Sequence, residues 1–62
     1  MFIHINFSNN TTKEFYSIPK ALSYTKVLLC NEIKPVGLRC DDAPSFQRLQ
    51  YYIEALTNEL HK

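Results

Sequence analysis

Between Asp42 and His61 the apolar residues recur at helical spacing, and this constrains the chain more than any other stretch of it. Phe46, Leu49, Ile53, Leu56 and Leu60 follow one another at intervals of 3, 4, 3 and 4. At about 100° per residue they fall within an arc of roughly 80°. Tyr52 lies beside that arc, and Gln47, Glu54 and Asn58 lie well away from it. The spacing predicts an amphipathic helix over residues 43–61. Asp42 stands where an N-cap carboxylate belongs, and Pro44 falls in the first turn, where a missing amide costs little. Ile53, central in the stripe, is the best single candidate for the core.

A helix with one apolar stripe needs a surface to lie on, and the other end of the chain supplies one. In Phe2-Ile3-His4-Ile5-Asn6-Phe7 the residues alternate, with Ile3, Ile5 and Phe7 on one side, which is the period of a strand. Ser8 to Thr12 is a run of turn formers. Lys13 to Ile18 reads as a second strand ended by Pro19, so the first 18 residues predict a β-hairpin. Its register is open. A five-residue loop pairs Ile5 with Phe15 and Ile3 with Ser17. A six-residue loop pairs Ile5 with Tyr16 and Ile3 with Ile18. In the first case Phe2, His4, Tyr16 and Ile18 make the second face partly apolar, and both faces of the sheet need cover.

From Lys20 to Cys40 two readings stand. Ala21, Leu22, Tyr24, Val27, Leu28, Leu29 and Ile33 scatter around a helical wheel. That favours Tyr24–Cys30 as a buried strand and Val36–Cys40 as another, with residues 31–35 as the loop between them. The helical reading rests on Pro19 as a first-turn residue and on Lys20, Ala21 and Leu22 as helix formers. The expected fold is α+β: an N-terminal hairpin, further short antiparallel strands, and the C-terminal helix packed on the sheet.

The chain has 62 residues, a formal charge of +1 and 45% hydrophobic residues. This is one small domain, residues 1–62, without the composition of a disordered or strongly basic tail. Its single glycine excludes a glycine-rich phosphate loop. The longest apolar run outside the first residues, Val27-Leu28-Leu29-Cys30, is far short of a membrane span. No leader segment is evident, and the reading is a cytoplasmic protein with two reduced, buried thiols, Cys30 and Cys40. So small a domain buries only about 60% of its unfolded surface. Self-association is then the expected staple.

No cofactor, metal or catalytic set is expected. Cys30, Cys40, His4 and His61 lack the close pairing of zinc ligands, with nine residues between the cysteines and the histidines at opposite ends. Cys40 precedes a helix N-terminus, which lowers a thiol pKa, but Asp41 and Asp42 beside it act the other way. The Asp41-Asp42 pair reads as a loop closure followed by a helix cap.

Two kinds of partner remain. The first reading is a non-enzymatic protein-interaction module, homodimeric, acting as inhibitor, adaptor or accessory regulator of a larger protein. Tyr51, opposite the apolar stripe, and nearby Arg48 are its candidate partner-binding residues, since these types are enriched at interface hot spots. The alternative is a nucleic-acid-binding domain whose weakly basic sheet face carries Tyr16, Lys20, Tyr24 and Lys26, aromatics to stack bases and cations to hold phosphates.

Overall fold

The computed structural model describes residues 1–60. Three strands, β1 (Ile3–Phe7), β2 (Thr12–Phe15) and β3 (Pro35–Cys40), form one antiparallel sheet in the order β2-β1-β3. Two helices, α1 (Ile18–Cys30) and α2 (Ala43–Leu60), pack against one another, α1 touching β2 and α2 touching β3. The architecture is α+β, with both helices on one side of the sheet.

β1 is central and its alternation decides the layering. Ile3, Ile5 and Phe7 are buried and meet Ala21, Leu49 and Ile53 in one core. His4 and Asn6 point to the other face. There Asn6 Oδ1 accepts from the Thr12 hydroxyl at 2.6 Å, and His4 Nε2 lies 3.0 Å from Glu14. The outer face is polar along its middle, with Phe2, His4 and Tyr16 grouped at one end as expected, whereas Ile18 packs on the core side instead of facing out.

Neither expected hairpin register occurs. Ile3 faces Phe15 and Ile5 faces Lys13, so the loop is tighter than either alternative. The Phe7 amide donates to the Thr11 carbonyl at 2.8 Å, leaving Ser8, Asn9 and Asn10 as a three-residue loop. Asn10 takes φ 67°, the left-handed conformation such loops need at this place. β2 is consequently shorter than the predicted strand over residues 13–18. Lys13 lands on the helix side of the edge, its Nζ 5.9 Å from the centroid of the Tyr24 ring. Pro19 opens a helix rather than closing a strand, because the Ser17 hydroxyl caps α1 by accepting from the Lys20 amide.

The expected strand over Tyr24–Cys30 is the second half of α1. The buried line of α1 is Ala21, Thr25 and Leu29, and its centre is small or polar. The flanks do the apolar work on two sides. Tyr24 packs its ring on Phe7 and Phe15, at 5.6 and 5.5 Å, while Leu22 faces the α2 side. Together these residues span an arc of roughly 160°, which looks like scatter when one narrow stripe is sought. The helix ends with the Glu32 amide on the Leu29 carbonyl and the Ile33 amide on the Leu28 carbonyl, Glu32 turning left-handed at φ 64°. The Val36–Cys40 strand is found, extended by Pro35. In β3, Gly37 lies so close to the Asn6 side chain that an added Cβ would sit 2.9 Å from its Nδ2.

Thr25 is completely buried and its hydroxyl has no hydrogen-bond partner among the described residues. An unsatisfied buried hydroxyl costs about 1–3 kcal/mol. Thr25→Val keeps the shape and has nearly the same helix propensity. It should stabilise the fold by about 1 kcal/mol, read as a higher midpoint in a urea titration at unchanged slope.

Candidate functional site

α2 starts as expected. The Asp42 carboxylate accepts from the Ser45 hydroxyl and, at 3.2 Å, from the Ser45 amide, which supplies the cap. Asp41 closes the preceding turn by accepting from the Phe2 amide at 2.9 Å. The two hydrogen bonds from Ser45, the hydroxyl's first, hold the Asp42 carboxyl below its ordinary pKa of 3.8. A lowered pKa means that the stabilisation is full above that ordinary value and is lost as pH falls through the depressed one. Asp42→Ala should therefore lower the melting temperature near neutrality, and the gap from wild type should close at acid pH. Thermal scans from pH 7 to pH 2 read it directly.

Leu49 is fully buried and Ile53 nearly so, at 8% exposure, whereas Phe46 is only half-buried. The reason is the position of α2. The helix sits over β3, and β3 is the last strand of the sheet, so its outer side has no neighbour among the described residues. A groove runs there between helix and strand. One stretch of about 280 Å³ is lined by Val36, Leu38, Phe46 and Gln50, and both it and an adjoining stretch of about 360 Å³ reach Pro35, Ile53 and Glu54. Val36 is 68% exposed at its rim.

Beside this groove runs a row of free backbone groups. The Asp41 amide donates to the Phe2 carbonyl, and Arg39 and Gly37 face His4 and Asn6. In an antiparallel ladder the residues that bond one neighbour alternate with those that point away. Leu38 and Cys40 therefore turn their N–H and C=O groups outward. The two edges of the sheet differ. β2 is four residues long, with exposed Thr12 and Glu14 and with Lys13 on the helix side, the devices that keep an edge unpaired. β3 carries Pro35 and a break in register between Gly37 and Pro35 at its start, and its regular open stretch is Gly37 to Cys40, with Arg39 alone charged.

The residues singled out in the sequence lie elsewhere. Tyr51, 69% exposed, and Arg48 are on the outer side of α2, away from the groove, with the Tyr51 and Tyr52 rings 5.9 Å apart. Tyr16, Lys20, Tyr24 and Lys26 do not share a sheet face. Tyr16 follows β2 and meets Phe2, while the other three are on α1, and Tyr24 is half-buried against Phe7 and Phe15. Cys30 is exposed rather than buried, and Cys40 is half-buried; both are free thiols. Among the described residues no three of His, Cys, Asp and Glu come together as a metal site would need, and His61 lies outside them. No helix among the described residues is long and apolar enough to cross a membrane.

The groove residues Val36, Leu38, Phe46 and Gln50 had no sequence signal as a set. Whether Val36 is covered depends on strand order, and only the placement of β1 in the centre makes β3 an edge. Compared with known protein families, curated proteins and solved structures, the chain matches none.

Proposed function

We propose that this chain is a small non-enzymatic protein-interaction module, an inhibitor, adaptor or accessory regulator of a larger protein, with the groove between β3 and α2 as its docking face. The observation that carries this reading is the coincidence of two binding features in one place. An open strand edge gives main-chain hydrogen bonds, and an apolar groove alongside takes side chains; together these are the elements of strand addition. Tyr51 and Arg48 offer a competing face on the far side of α2.

A photoreactive phenylalanine placed separately at positions 36, 50, 48 and 51 distinguishes the two faces in living cells. Position 36 and position 50 should give protein adducts on irradiation. Adducts confined to positions 48 and 51, none at all, or adducts that a nuclease removes would overturn the reading.

A further inference from the structure

We draw no further inference here: the strongest candidate, the aromatic cluster of Phe2, His4 and Tyr16 at one end of the outer sheet face, carries nothing, because Glu14 and Arg39 on either side of His4 leave it no net charge to select a ligand and nothing in the structure shows what covers it.

Discussion

Replacing Ile5 by alanine should leave a chain that is partly unfolded at 25 °C. Ile5 is fully buried at the middle of the central strand, between Lys13 on one neighbour and Leu38 on the other. It belongs to the one core cluster that joins β1 to both helices. Deleting a buried isoleucine down to alanine costs about 2–5 kcal/mol, from lost transfer energy and from the cavity left behind. A domain of this size rarely has more than about 3–5 kcal/mol in total. The variant's urea curve should therefore lack a native baseline. A loss below about 1 kcal/mol would show that the centre of the sheet is not packed as described.

The second large effect is one that helix propensity does not forecast. Ala21→Leu exchanges the best helix former for one nearly as good and gives the helix the apolar stripe it lacks on paper. It should nevertheless destabilise the fold. Ala21 is fully buried in the core cluster, where the helix comes close to the sheet. Three extra carbon atoms at that point force side chains off their rotamers or push α1 away, at a cost of about 1–3 kcal/mol. The same substitution at exposed Ser23 or Val27 should be nearly neutral, so the pair of variants separates packing from propensity.

Ala21 also explains which parts of the fold were legible. β1 and α2 carry large apolar residues at a clean period of their own, and both were found where the pattern put them. α1 does not, because a helix wedged between a sheet and another helix puts its smallest residues at the point of closest approach. Its large residues go to two flanks, Tyr24 to the aromatics of β1 and β2, Leu22 to the α2 side. Its stop signal was equally hidden, since Glu32 rather than glycine takes the left-handed position after the helix. The hairpin register turned on the same kind of substitution: Asn10 adopts the conformation that a glycine would have announced. The Asp42 cap was legible because its carboxylate and its target lie three residues apart.

For the docking face the sequence offered less. Tyr51 and Arg48 stand out by residue type alone; on α2 they are exposed, opposite the apolar stripe and outside the groove. The groove is a consequence of strand order. Val36 reads as an ordinary strand valine until β1, not β3, takes the centre of the sheet. Tyr16, Lys20, Tyr24 and Lys26 share a sheet face only if residues 16–26 are strand, and α1 disperses them.

Amide hydrogen exchange followed residue by residue in the isolated protein tests the central claim, an open β3 edge, most directly. Along β3 the amides alternate: Gly37 and Arg39 face β1, while Leu38 and Cys40 point outward. The account predicts slow exchange at Gly37 and Arg39 and fast exchange at Leu38 and Cys40. Leu38 and Cys40 amides as protected as that of Arg39 would contradict it.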